Sequence, residues 1–186
     1  MEQIIQLNSQ AKLSEHFTLG ELTKTSHKVY NIPSHEAIAN LKRVCEWLEY
    51  LRKRYNELNQ TTPGPSSLFE EGNTEGRVLP SSWEEGPGVE EKALLPIIIN
   101  SGYRSPQLNR KIGGAPNSNH LTGCAVDIRV SGMEQLIVYA AILIQYANET
   151  GRDFDELLLE KNRHGAIWLH FAVRPKENRR KVNIIA

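Results

Sequence analysis

The segment Ala166–Val173 alternates strictly: Ile167, Leu169, Phe171 and Val173 are apolar, and Trp168 and His170 fall between them. A strand turns successive side chains to opposite faces, so the pattern fixes a core face and leaves His170 with Trp168 on the other. A slip by one residue would bury the wrong set, which limits the sheets this strand can join. Cys124–Val130 repeats the arrangement, with Cys124, Val126, Ile128 and Val130 on one side and Ala125, Asp127 and Arg129 on the other. Two strands that each keep a ligand-type side chain off the core face can line one cleft. His120 lies just before the earlier strand, in a polar loop able to fold back toward Asp127. Two imidazoles and one carboxylate are a normal set for a catalytic zinc, because three protein ligands leave one position free for water. Metal-assisted hydrolysis is the expected chemistry.

Around these strands the pattern predicts mixed elements. Thr18-Leu19-Gly20-Glu21 reads as a capping box opening a short helix. After Pro33-Ser34, the residues Ile38, Leu41, Val44, Leu48, Leu51, Tyr55 and Leu58 recur at threes and fours, one buried face of a long helix. Lys42, Arg43, Glu46, Glu49 and Arg52 fill its solvated side. Leu95–Ile99 reads as a buried strand, Ser105-Pro106 as a helix start, and Gly113-Gly114 as the loop after it. Ser131-Gly132-Met133-Glu134 reads as a second capping box, opening an apolar helix to Asn148. Phe154–Glu160 and Ala166–Val173 form a hairpin across Lys161–Gly165. The expected fold is α+β, a small antiparallel sheet with flanking helices.

The chain of 186 residues suits one domain, with a helical N-terminal part over 1–58 and a catalytic core over 94–175. Between them, 59–93 holds turn-rich runs such as Thr62-Pro63-Gly64-Pro65 and Glu85-Gly86-Pro87-Gly88 and few core residues. It reads as a disordered insertion within the domain, or alternatively as a linker between two modules. Basic and acidic residues balance, 22 against 22, so no net field recruits nucleic acid or an anionic membrane. No apolar run is long enough for membrane insertion, and the start lacks the pattern of a secretory signal, so cytoplasmic synthesis is expected. Cys45 and Cys124 make no disulfide framework; strand parity puts Cys124 in the core rather than at a metal. His16, His27 and His35 are expected at the surface or in local hydrogen bonds.

The ordered set Ser101-Gly102-Tyr103-Arg104-Ser105, Ser118-x-His120 with Gly123 and Asp127, and Trp168-x-His170 resembles the zinc D-Ala-D-Ala carboxypeptidase family. That family includes phage L-alanyl-D-glutamate endopeptidases and shares its fold with the hedgehog signalling domain. The similarity spans Ile97 to Val173, and Phe17–Glu21 is similar to the opening of phage and prophage members. The resemblance implies one zinc ion on His120, Asp127 and His170, and a peptidase acting on peptidoglycan stem peptides. The bond is either L-alanyl-D-glutamate or a terminal D-alanine. By the same resemblance Arg104 serves a substrate carbonyl, a developing oxyanion or a substrate carboxylate, and Ser118 bonds substrate or orients its loop.

The general base is sought among three residues, one offered by the resemblance, one by strand alternation and one by its place in the hairpin turn. Glu160 is preferred, since other members carry a glutamate just before the hairpin turn. A turn centred near Arg163 sets Glu160 opposite Ala166, on the face of Trp168 and His170; Glu156 and His164 are the alternatives. Trp168 is expected as a cleft wall, and Gly123 as the point where backbone between His120 and Asp127 comes close. Action at the cell wall from the cytoplasm implies a holin or another export partner, or release by lysis, as for a prophage-derived endolysin. A different class of function, a non-catalytic zinc-containing cell-wall-binding module or a phage structural module, stands as the alternative.

Overall fold

A computed structural model describes residues 8–61 and 94–185. In chain order it contains α1 (Leu19–Thr23), α2 (His35–Thr61), β1 (Ile99–Ser101), α3 (Pro106–Lys111), a 3-10 turn (Asn119–Thr122), β2 (Ala125–Arg129), α4 (Met133–Thr150), β3 (Glu156–Lys161), β4 (Ile167–Ala172) and β5 (Lys181–Ile185). The strands form one sheet in the order β1-β2-β4-β3-β5. The fold is α+β, and every pairing is antiparallel except that of β3 with β5.

Alternation does what the sequence predicts. Leu169, Phe171 and Val173 from β4 and its end, and Val126 and Ile128 from β2, enter one core cluster. Onto that face α2 contributes Leu41, Val44, Leu48 and Leu51, while α4 adds Leu136, Tyr139 and Leu143. Trp47 is fully buried at their junction, 4.7 Å edge-on from Tyr146 and 5.2 Å from Phe171. Each such ring contact adds about 0.5–1.5 kcal/mol beyond the burial of its area. Helix α1 opens with the predicted capping box: Thr18 Oγ1 accepts from the Glu21 amide, and Glu21 accepts from the Thr18 amide. Ser105 caps α3, with Pro106 at its first position. The 3-10 turn packs against α2, where Asn40 donates to the Thr122 carbonyl, and the 102–105 loop lies against α1, with Tyr103 in the core.

Several boundaries differ from expectation, each for a local reason. Leu95–Ile99 is not a strand; pairing begins at Ile99 and breaks register between Ile99 and Ser101. The second capping box does not form: Gly132 is the N-cap of α4 with no side-chain cap, while the Ser131 amide donates to Gln135. Helix α4 runs on to Thr150 and stops at Gly151, whose φ of 66° is left-handed. Helix α2 continues to Thr61, past the expected limit at 58, and Leu58 near its end is 44% exposed rather than buried. The remainder of the expected insertion, 62–93, lies outside the described residues.

In the hairpin, Asn162 folds over the turn, its side chain accepting from the amides of His164 and Ala166. The turn therefore centres on His164, and Glu160 pairs with Trp168 instead of Ala166. A shift of two residues in pairing preserves parity, so Glu160 still shares its face with Trp168 and His170. Strand β5 was not anticipated. All five of its residues are exposed, so its sequence carries no alternation between core and solvent, and it joins β3 in parallel after the crossing segment 173–180.

Candidate metal centre

Register brings the candidate ligands together. Asp127 of β2 pairs directly with His170 of β4, so their side chains rise from the same face of adjacent strands. His120 comes from the 3-10 turn, where the Ser118 hydroxyl accepts from the His120 amide at 3.3 Å and Gly123 closes the turn at φ 72°. A Cβ on Gly123 would stand 2.5 Å from the Ala37 carbonyl oxygen of α2. The glycine thus serves close approach of the turn to a helix, not of His120 to Asp127 as the sequence suggested. The outcome is a buried trio whose ligand-type atoms all lie within 4.8 Å of one another. Asp127 Oδ1 is 3.2 Å from His120 Nε2 and 2.9 Å from His170 Nδ1.

The far nitrogen of each ring is also occupied. His120 Nδ1 donates to the Gly102 carbonyl at 2.6 Å, and Nε2 is the ring atom turned toward Asp127. His170 Nε2 lies 3.7 Å from Glu156 Oε2. An imidazole whose distal nitrogen is oriented by a carbonyl or a carboxylate is the usual arrangement of a metal-binding histidine.

Electrostatics favour a positive charge at the centre of this trio. Burial opposes the charge on His170, yet Asp127 and Glu156 on either side raise its pKa to about 9. Burial also pushes the Asp127 carboxyl up, but the two imidazoles outweigh it and hold the group well below the usual carboxylate range. The His170 ring is the largest influence on Glu156; against burial, and with help from Lys181 and Arg179, it brings that carboxyl down to about 2. Two nitrogen donors, a carboxylate and a field that stabilises a cation fit a divalent zinc ion.

Arg104 is where the sequence placed it, on the cleft, but not with the freedom implied. Its Nε donates to Ser101 Oγ at 2.8 Å, and a terminal nitrogen bonds Asp127 Oδ2. Its turn is fixed from the N-terminal part of the chain: Asn31 bonds the Thr23 and Tyr103 carbonyls and accepts from the Ser105 amide.

A cavity of about 610 Å³ opens over the trio and takes in Arg104, Ser118, Glu156, Glu160 and Trp168. Glu160 is half-buried beside Trp168. The Trp168 indole N–H is buried and has no partner among the described residues. His164 is not on this cavity; it is exposed in the hairpin turn, where its ring accepts from Arg163. Cys124 is buried and free, and apart from the trio. His16, His27 and His35 are exposed.

Sequence reasoning missed a group that supports the ligands from behind. Asn119 donates to Asp155 at 2.8 Å and to Glu156 at 3.0 Å, and accepts from Arg174 Nε at 2.8 Å. Asp155 is fully buried and receives a two-pronged contact from Arg179, both bonds 2.7 Å. Burial raises the Asp155 carboxyl, but Arg179, Asn119 and Arg174 together draw it lower. The one available signal was Asn119 standing next to His120, since Asp155 lies just before β3, whose alternation says nothing of an ion pair.

The sequence model of the family described as Peptidase M15 matches residues 74–156. The match supports the M15 zinc peptidases. It takes in His120 and Asp127, while His170 lies beyond its end and joins them through the register of β4 with β2. M15 peptidases are zinc-dependent hydrolases, in keeping with the donor set found here. Among curated proteins none matches the chain. Among the described residues no helix is long and apolar enough to cross a membrane.

Proposed function

We propose that the chain is a zinc peptidase that cuts the stem peptides of peptidoglycan, as a D-Ala-D-Ala carboxypeptidase or an L-Ala-D-Glu endopeptidase. The observation that carries this reading is the convergence of His120 Nε2, Asp127 Oδ1 and His170 Nδ1, together with the M15 match. A zinc ion held by these three side chains would polarise the scissile carbonyl and lower the pKa of a water.

The chain's own groups divide the remaining work. Glu160, on the cavity and on the same face as His170, takes a proton from the attacking water and returns it to the leaving amine. Arg104 orients Asp127 and, with its remaining donors, faces the charge that grows on the carbonyl oxygen. Ser118 holds the turn that carries His120, and Trp168 forms the wall against which the peptide lies. Glu156 positions His170 rather than moving protons, since its oxygens are already shared among Asn119, Arg179 and Lys181.

The test is incubation of zinc-loaded protein with purified peptidoglycan, followed by mass spectrometry of the muropeptides. New peptide ends are expected, lost with EDTA and regained with zinc. His120→Ala should lose both the metal and the cleavage. Intact muropeptides after incubation with a fully zinc-loaded protein would sink the reading and favour a non-catalytic wall-binding module. An origin in a prophage and a partner for export belong to the same proposal, and the genes flanking this one test them.

A further inference from the structure

The cleft over the trio does not end at Ser118 and Asn119. Across them lies a second groove of about 430 Å³, which shares Asn117, Ser118, Asn119 and Arg174 with the first. Arg174 thus stands at the border of both.

Three arginines line the cavity of the trio, and they are not equivalent. Arg104 places a terminal nitrogen on Asp127. Arg179 uses Nε and a terminal nitrogen on Asp155 and Glu156. Arg174 is tied only at Nε, to Asn119 Oδ1 at 2.8 Å and to Asp155 Oδ2 at 3.0 Å. Its two terminal nitrogens have no partner among the described residues, and its side chain is 33% exposed. Its backbone is fixed as well: the Arg174 amide donates to Asn178 Oδ1 at 2.8 Å, and Asn178 Nδ2 returns a bond to the Arg174 carbonyl. A guanidinium held from behind, with its outer edge free, has already lost the rotamer freedom that binding would otherwise take away. That edge matches the two oxygens of a carboxylate.

The geometry points to Arg174 as the carboxylate-recognising residue of a second subsite, so that the preferred substrate is a peptide bearing a free carboxylate where the chain leaves the metal cleft across Ser118–Asn119. This deepens the peptidase reading and rests on it. Amidation of that carboxylate replaces one of two charge-assisted acceptors by a donor, and the match is lost.

The experiment uses two synthetic stem peptides that differ only in whether the glutamyl carboxylate is free or amidated. Zinc-loaded wild type is expected to favour the free acid by about tenfold in kcat/KM, the low end for hydrogen bonds to a charged group at a partly exposed site. In Arg174→Ala and in Arg174→Gln, which keeps a donor near Asn119, the free acid should lose about tenfold more than the amide, bringing the ratio close to one. Equal losses on both peptides, or a ratio unchanged from wild type, would overturn the subsite. Zinc content and thermal melting of each variant identify a folding fault. If wild type cut neither peptide, the peptidase reading would fail on its own, and calorimetric binding of the same pair would still decide the subsite: tighter binding of the free acid, lost in Arg174→Gln, supports it, and equal binding overturns it.

Discussion

Glu156 and Glu160 stand on one face of β3 with Leu158 between them, yet their neighbours give them different work. Glu156 lies against His170 and shares its oxygens with Asn119, Arg179 and Lys181. Glu160 meets Trp168 across the strand pair and borders the cavity. Glu160→Gln is accordingly expected to lower kcat by about 10²–10⁴-fold while zinc affinity stays within a few-fold of wild type. Glu156→Gln should instead weaken zinc by about 10–100-fold, as loss of an orienting carboxylate does. Competition with a chromophoric chelator, read beside turnover, separates the two; a swap of phenotypes would reassign the base to Glu156. Strand parity puts Asp127 and His170 off the core face, so those two candidate ligands were legible in the sequence, whereas His120 stands in a turn without a period and was joined to them through the resemblance. The tie of Arg104 to Asp127 was not legible, since it crosses between a loop and a strand with no sequence period to announce it.

The helices were legible where one face is apolar throughout. In α2, Leu41, Val44, Leu48 and Leu51 are all fully buried, as their spacing requires. What the spacing hid is a role for the polar side. Glu49, read as a solvated charge, accepts from Ser14 Oγ at 2.6 Å and from the His16 amide at 2.8 Å, and its second oxygen lies 2.7 Å from the His16 ring. It thereby pins the N-terminal loop to the helix. Burial raises the Glu49 carboxyl, but Ser14 and His16 together draw it below its ordinary 4.5. A carboxyl with a depressed folded pKa stabilises the fold above its unfolded value, and this contribution disappears as pH falls through the folded one. Glu49→Gln should therefore cost about 1–2 kcal/mol at pH 7, and its melting temperature should fall less steeply than that of wild type below about pH 4.5. Parallel melting curves for the two proteins down the acid range would remove Glu49 from this role. By contrast β5 escaped sequence reading because a strand exposed at every residue displays no face to detect.

At the scale of the whole molecule, a buried carboxylate ties the chain's C-terminal crossing to the metal site. Asp155 has no exposed surface and gathers Arg179, Arg174 and Asn119. Around it the Asp155 amide donates to the Ala172 carbonyl, and Lys181 donates to the Asp155 carbonyl, so the ends of three strands meet there. Asn119, one residue from His120, belongs to the same group, so support for the ligand turn depends on Arg174, 55 positions later. Contacts of that sequence separation follow from topology, which is why composition and periodicity revealed the sheet but not its lock. Removing Asp155 leaves Arg174 and Arg179 without their anion, and because both are partly exposed and screened by solvent the cost is about 1–3 kcal/mol. Asp155→Asn is near in shape, so a loss of that size in urea unfolding would report the missing charge. Amide exchange over β5 should accelerate before the core of α2 and α4 does, because the pairing of β5 with β3 begins beside Asp155. A loss under about 1 kcal/mol, with β5 still protected, would mean that strand pairing alone holds the crossing.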